Sequence, residues 1–314
     1  MAKFTVLGYG EVLWDLLPSG KQLGGAPLNV IHRVNCLGDK GLMASRIGRD
    51  ELGDEILNRM LELNIDPALL QRDDTHPTGT VAVKLDESGQ PDYHITPDVA
   101  YDNIEPEAAL IRTAAAAECV CFGTLAQRSE VSRRTCRQVL NNVEHGLKLL
   151  DVNLRKDCYS RSVLEASLSA ADAVKLNDAE AIELADMFQL GRTDLDAIAA
   201  SLIDRFGLKV CIVTVGARGA LAVSTAPQTV YEPGYLAPGP GDAVGAGDGF
   251  TAGFIHKHLR NAPLAECIRF GNAVGALVAA QSGATGPMDA RQVENFIASA
   301  PQRNVDPKLS SLVD

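Results

Sequence analysis

The feature that most limits how this chain can fold is a repeated change of hydrophobic period. Short apolar runs alternate with longer stretches whose apolar residues recur three and four apart. FTVLGY at 4–9 reads as a buried strand, and APLNVIHRVNCL at 26–37 reads as a helix that ends at Gly38. LMASRI at 42–47 is the next strand. DELGDEILNRMLELN at 50–64 is a helix with Leu52, Ile56, Met60 and Leu63 on one face. In the second half ECVCFG, LKLLDVN, AVKLN and KVCIVTV read as strands, each followed by a segment of helical period. Alternation of this kind predicts an α/β fold, a mostly parallel sheet covered by helices on both faces.

One interval departs from this rule. Residues 78–103 alternate apolar and polar around a Ser-Gly turn, which reads as a hairpin of half-exposed strands. A few antiparallel strands projecting from an α/β body would make a lid over a ligand that must be shut away from water. An edge extension of the main sheet, or a dimer contact, would have the same pattern. With no internal repeat and no low-complexity linker, residues 1–314 are expected to form one domain, with lid strands at about 11–25 and 78–103.

Composition removes whole classes of function. The chain is 46% hydrophobic and 22% charged, so a folded core is expected. Its net charge of −11, with no run of lysine or arginine, argues against nucleic acid as a partner, because neutralising phosphates needs a concentrated basic face. A small phosphate ligand remains open, since backbone amides can hold one. No apolar run approaches the ~18 residues of a membrane span. The opening MAKFTVLGYGEVLWD turns acidic too soon for a signal peptide. The seven cysteines are odd in number and form no CxxC, so buried free thiols in a reducing cytoplasm are expected.

The phosphate-binding loops tested first are absent. No GxxxxGK precedes a serine or threonine, and GYGEVLWD supplies Gly8 and Gly10 but Leu13 in place of a third glycine. A different glycine cluster, GPGDAVGAGDGFTAGF at 239–254, runs directly into a helical stripe of Phe250, Phe254, Ile255 and Leu259. A helix starting near Ala246–Asp248 would present the amides of Gly245, Ala246 and Gly247 to an anion, with the helix dipole behind them. Such amides can hold the charge that develops on a phosphoryl group in transfer. Asp248 then fits two roles, a base for an attacking hydroxyl or a carboxylate decorating the first helical turn. In the first half Gly24 and Gly25 precede a helix that begins near Ala26 or Pro27, Asn29 lies in its first turn, and Asp15 sits just upstream. A carboxylate, glycine amides and a carboxamide suit sugar hydroxyls, and each is equally compatible with turn chemistry. His256 and His258 are two apart on a helix and so point to different faces, which disfavours a shared metal. Tyr93 in the hairpin and Trp14 beside Asp15 read as packing aromatics before sugar contacts.

Taken in order, these segments resemble the ribokinase-like (PfkB) family of carbohydrate kinases, and among them the fructokinases. The resemblance rests on GEVLWD with GGAPLN, SRIGRDELGDEIL, DVNLR (151–155), KLNDAE (175–180), VTVGARGAL (213–221) and DAVGAGDGF (242–250), and it spans nearly the whole chain. It implies a three-layer α/β/α sandwich with a small β-sheet lid. It also implies phosphoryl transfer from ATP with Mg²⁺, often aided by a monovalent cation such as K⁺. Carried over by residue, Asp248 is the base and Gly245, Ala246 and Gly247 form the anion hole. Asp15, Gly24, Gly25, Asn29 and Arg155 hold the sugar, with Asp242 at the sugar or cation site. Asn177 and Glu180 lie on the phosphate side, Glu180 serving magnesium directly or through water. Thr214, Gly216 and Gly219 line the nucleotide, and Asn272 lies near the adenine. A homodimer through the lid would be consistent with the family-like hairpin. Ala243 and Val244 stand where threonines are common, Gly249 where alanine or serine is, Arg218 for lysine and Val152 for proline. These departures leave Asp248 and the backbone amides intact and bear on the identity of the acceptor.

Overall fold

The computed structural model describes residues 3–17, 20–85, 91–226 and 228–312. Its strands are, in chain order, β1 (Thr5–Tyr9), β2 (Leu13–Leu17), β3 (Gly20–Gly24), β4 (Lys40–Gly48), β5 (Leu70–Asp73), β6 (Gly79–Leu85) and β7 (Pro91–Ile95). The second half adds β8 (Cys119–Phe122), β9 (Leu147–Asp151), β10 (Ala173–Asn177), β11 (Val210–Thr214), β12 (Gly219–Ser224), β13 (Gln228–Tyr235) and β14 (Arg303–Asn304). Ten of them form one sheet in the order β14-β13-β12-β11-β10-β9-β8-β1-β4-β5. From β5 across to β11 every neighbouring pair is parallel, as the alternation predicts.

Adjacent residues of one strand feed opposite cores. Val6 of β1 and Cys119 and Cys121 of β8 join Ile31, Met43, Phe250 and Phe254 on one face. Leu7, Val120 and Phe122 join Leu150, Leu176, Leu184 and Ile198 on the other. Period two in the strands thus buries both faces under helices, giving the three-layer sandwich. Each of the aliphatic, methionine and phenylalanine side chains among them contributes roughly 1.5–3 kcal/mol when fully buried. All seven thiols are free, five of them buried. Among the described residues no helix is long and apolar enough to cross a membrane.

The lid is a separate four-stranded sheet in the order β3-β2-β6-β7. It joins two antiparallel hairpins, at 13–24 and 79–95, through a parallel β2–β6 pair, within the two intervals from which the sequence draws the lid. The Ser88–Gly89 turn lies outside the described residues. The second strand also stops early, at Ile95. Residues Ala100–Asn103 form a 3₁₀ turn with Tyr101 and Asp102 buried, because Arg128 draws in the Asp102 carboxylate and also donates to the Tyr101 hydroxyl.

A second expectation fails after β11. No α-helix follows KVCIVTV, only the 3₁₀ turn Gly216–Arg218. Instead the chain reverses at Gly216 and Gly219, both at positive φ, into antiparallel β12 and β13. Any side chain at 219 would meet the Glu232 carbonyl at 2.1 Å, so this reversal depends on glycine.

Candidate active site

A cavity of about 650 Å³ opens between the lid and the ends of the main-sheet strands. From the lid come Leu13, Asp15, Leu17, Val81 and Ile95, the inward face of β2, β6 and β7. The body contributes Glu11 after β1 and Leu154 and Arg155 after β9, the loop ends at which α/β sheets bind ligands. Gly25, Asn29, Gly245 and Asp248 complete the polar wall.

The helix Ala246–His258 begins where the glycine cluster predicts. Gly245 is left-handed at φ 75°, and a Cβ there would lie 2.4 Å from the Ala284 methyl. Ala246 N–H donates to the Ala243 carbonyl at 3.2 Å, so its amide is already engaged. The N–H groups of Gly245, Gly247 and Asp248 have no acceptor among the described residues. Two glycines have a packing cause instead: Gly249 and Gly253 let this helix pack closely on Leu264–Ala279. Asp248 is buried, and its Oδ2 accepts from Asn29 Nδ2 at 2.8 Å. Burial pushes its carboxyl up to about 6, helped by the negative charge of Asp151 and opposed by Lys175, Asn29 and Arg155.

Beneath that helix start lies a buried ion pair. Lys175 Nζ donates to Asp151 Oδ1 at 3.0 Å and Oδ2 at 3.3 Å, and Thr251 Oγ1 donates to Oδ2 at 2.8 Å. The ammonium is so close to the helix that a Cβ on Gly247 would sit 3.2 Å from it. Burial disfavours the charged lysine, yet Asp151, Glu180 and Asp248 together hold its pKa above the ordinary value.

On the lid side of the cavity, Asp15 approaches Gly24 so closely that a Cβ would meet Oδ2 at 2.4 Å. Desolvation raises the Asp15 carboxyl, and Arg155 counters it. Trp14 faces away from the cavity, its Nε1 donating to the Leu52 carbonyl at 3.0 Å, as a packing residue would. The Tyr93 side chain lies outside the described residues.

The predicted nucleotide-side residues divide. Asn177 and Glu180 form a capping box at the start of Asp178–Phe188, and the Glu180 oxygens accept N–H from Asn177 and from Leu154, each at 2.8 Å. Thr214 closes β11, with Gly216 and Gly219 in the turn behind it. Asn272 is turned inward, donating to the carbonyls of Glu232 at 2.9 Å and Pro233 at 3.3 Å. Asp242 is exposed and off the cavity wall. It accepts from Val244 N–H at 3.0 Å and Gly283 N–H at 2.9 Å, pinning two loops together. Arg218 pairs with Asp306 and Asp178.

Residues 19–291 match the pfkB family of carbohydrate kinases. The chain belongs to this family. The kinase is 28% identical to a fructokinase of Escherichia coli over 272 residues, covering 81% of this chain and 83% of that enzyme. Its fold is similar to that of a fructokinase with bound ATP from Xylella fastidiosa, with a TM-score of 0.81 and 23% identity over 95% of this chain and 99% of that one. It is also similar to a double mutant of the Vibrio cholerae fructokinase bound to fructose, ADP and potassium. There the TM-score is 0.77, with 23% identity over 94% of this chain and 99% of that one.

Two acids and a lysine of this kinase site escaped the sequence reading. Glu11 lies inside GEVLWD, where Asp15 drew attention. It is buried in the cavity wall, accepts from Ala26 N–H at 3.2 Å, and is pushed up to about 7, chiefly by desolvation. Asp151 and Lys175 each occur in a quoted segment, DVNLR and KLNDAE. Nothing in either segment alone announces that the two meet under a helix far along the chain.

Proposed function

We propose that this carbohydrate kinase transfers the terminal phosphoryl group of ATP to a primary hydroxyl of fructose. One observation carries the reading: a buried carboxylate, Asp248, sits on the cavity wall in the same helical turn as the unengaged amides of Gly245 and Gly247. Phosphoryl transfer depends on alignment and charge stabilisation, and this helix start supplies both. Asn29 fixes the Asp248 carboxylate. The acceptor hydroxyl gives its proton to Asp248 as its oxygen bonds to phosphorus, and the bond from phosphorus to the departing ADP oxygen breaks. The Ala246 amide, spent on Ala243, is left out of the anion hole. Glu11, Asp15 and Asp248 put three carboxyls on the wall against Arg155 and Lys156. That balance suits a neutral polyol, whose hydroxyls donate to carboxylates, better than a sugar acid.

Magnesium bound to the nucleotide phosphates would neutralise charge on them. Among the described residues no three acidic, histidine or cysteine groups converge on one point, so a magnesium ion here would draw on waters and phosphate oxygens for most of its ligands. Glu180 suits that arrangement, since each oxygen has spent one lone pair on a backbone amide and keeps another for a metal-bound water. Asp242, which ties the chain at Val244 to the loop at Gly283, is the group that suits potassium, which a comparison of potassium with tetramethylammonium buffers tests. We also infer that the lid edges pair with a second copy of the chain, and that the enzyme works in the cytoplasm.

The central test is Asp248→Asn with a coupled ADP-release assay across fructose, ribose, 2-keto-3-deoxygluconate, adenosine and tagatose. Fructose should give the highest kcat/KM in the parent. The variant should still bind sugar and nucleotide while turnover falls by about 10²–10⁴. Near-normal phosphorylation by the variant removes Asp248 from the mechanism, and preference for a nucleoside removes fructose.

A further inference from the structure

The helix Ala26–Cys36 carries a charge that the chemistry above does not use. Arg33 follows Asn29 by one helical turn and is 0% exposed. Among the described residues its guanidinium has no carboxylate partner. Nη1 donates to the Gly286 carbonyl at 2.6 Å, and Nη2 donates to the Ala284 carbonyl at 2.6 Å and to Gln281 Oε1 at 2.9 Å. Nε finds no acceptor. A buried cation held only by neutral oxygens is costly, and fewer than all of its donors are satisfied. The inward-turned carbonyls are equally costly without it, since each would be a buried acceptor with no donor.

The loop so held supports the proposed catalytic end of the helix. Gly283 N–H binds Asp242 Oδ2, and Asp242 N–H donates to the Gln281 carbonyl at 3.2 Å. The Ala284 methyl sits directly beneath Gly245, leaving no room there for a Cβ. One helix therefore reaches the site twice, with Asn29 on the Asp248 carboxylate and Arg33 on the loop under Gly245.

We propose that Arg33 is a positioning residue, a built-in cation whose guanidinium shapes the loop Gln281–Gly286 and so sets Gly245 and Asp248 in register with Asn29. The proposal rests on reading this helix start as the catalytic end. Its loop-shaping part stands apart from that reading and can be measured without turnover.

Arg33→Met removes every donor, and Arg33→Lys keeps the charge. The Met variant should lose at least about tenfold in kcat, because small misplacements of reacting groups are expensive. Its acceptor KM should stay within about threefold, since the acceptor-side residues are untouched. Low-millimolar guanidinium should restore most of the loss. Amide hydrogen exchange should quicken at 281–286 and 241–246 and not elsewhere. The Lys variant should retain most of kcat, with a smaller rise in exchange at the same residues. A Met variant with parental kcat and parental exchange at 281–286, or one whose loss guanidinium does not relieve, overturns the proposal. If the Met variant does not fold, the Lys variant decides, and unchanged exchange at 281–286 overturns it. Altered exchange at 281–286 with parental kcat, alongside an active Asp248→Asn enzyme, would count against the catalytic reading and leave the loop clamp standing.

Discussion

The base proposed for this reaction, Asp248, must be ionised to act, and it is kept where ionisation is unfavourable. Its carboxyl stands at about 6 against an ordinary 3.8, because burial and the Asp151 charge outweigh Lys175, Asn29 and Arg155. The acid limb of kcat/KM should therefore turn near pH 6, with rate lost as pH falls through that value. A limb near pH 4 would mean that the carboxylate is far better solvated than its burial implies. The sign for stability is opposite. Between pH 3.8 and about 6 the folded protein binds the proton more tightly than the unfolded chain, so stability falls as pH rises through this window. The gap corresponds to on the order of 3 kcal/mol at about 1.4 kcal/mol per pH unit. Asp248→Asn keeps an acceptor for Asn29 and discards the buried charge. It should melt above the parent at pH 7.5, with the gain shrinking as the pH is lowered from 6 toward 4. An unchanged melting temperature at pH 7.5 would show that the charge costs the fold nothing.

At the level of elements, the helix Ala246–His258 and strands β9 and β10 meet through Lys175 and Asp151. Lys175→Met would leave the Asp151 carboxylate buried and uncompensated, at a cost of roughly 3–5 kcal/mol. It would also remove the cation that lowers Asp248, so the acid limb should move upward. Adding Asp151→Asn removes the opposing charge and should bring back both stability and the limb, a coupling that a double-mutant cycle reads directly. Independent, additive effects of the two substitutions would mean that the pair does not act as a unit. The parts of this site that were legible in the sequence are those in which local pattern and chemistry coincide. The glycines, the helical stripe after them and Asp248 occur within one short segment, and β1, β4 and β8 to β11 announce themselves as apolar runs. Contacts such as Asn29–Asp248, 219 residues apart, are absent from any local pattern. Lys175 and Arg33 look like ordinary strand and helix cations until their partners arrive from elsewhere. The helix expected after β11 failed because strand-to-helix alternation was extrapolated past two glycines that turn the chain back on itself. Asn177 and Glu180, expected on the phosphate side, are also a complete capping box, so their spacing has a local cause as well.

Across the whole molecule, the lid has two surfaces with different tasks. Leu13, Asp15 and Leu17 of β2 face the cavity, so the intervening Trp14 and Leu16 face outward. Trp14 is covered by the helix Glu51–Glu62, through Leu52, whereas Leu16 remains 38% exposed. The base of the lid is tied to the body, because Asp50 caps that same helix and also accepts from the Thr78 amide and hydroxyl just before β6. The outermost strands of the four are β3, held to that helix by the Lys21–Glu55 ion pair, and β7, and a strand at the edge of a sheet presents a row of backbone groups to a further strand. An exposed leucine beside an open edge is the arrangement a second lid would cover, and a paired lid would shut each cavity without lengthening the chain. Sedimentation velocity at micromolar protein should therefore give a dimer, and Leu16→Glu should shift it to monomer with little change in melting temperature. The monomeric variant should show a raised acceptor KM, since an unpaired lid closes less often over the sugar. A parent chain that sediments as a monomer would leave the edges free and confine lid closure to one copy. A dimer indifferent to Leu16→Glu would move the contact to another face.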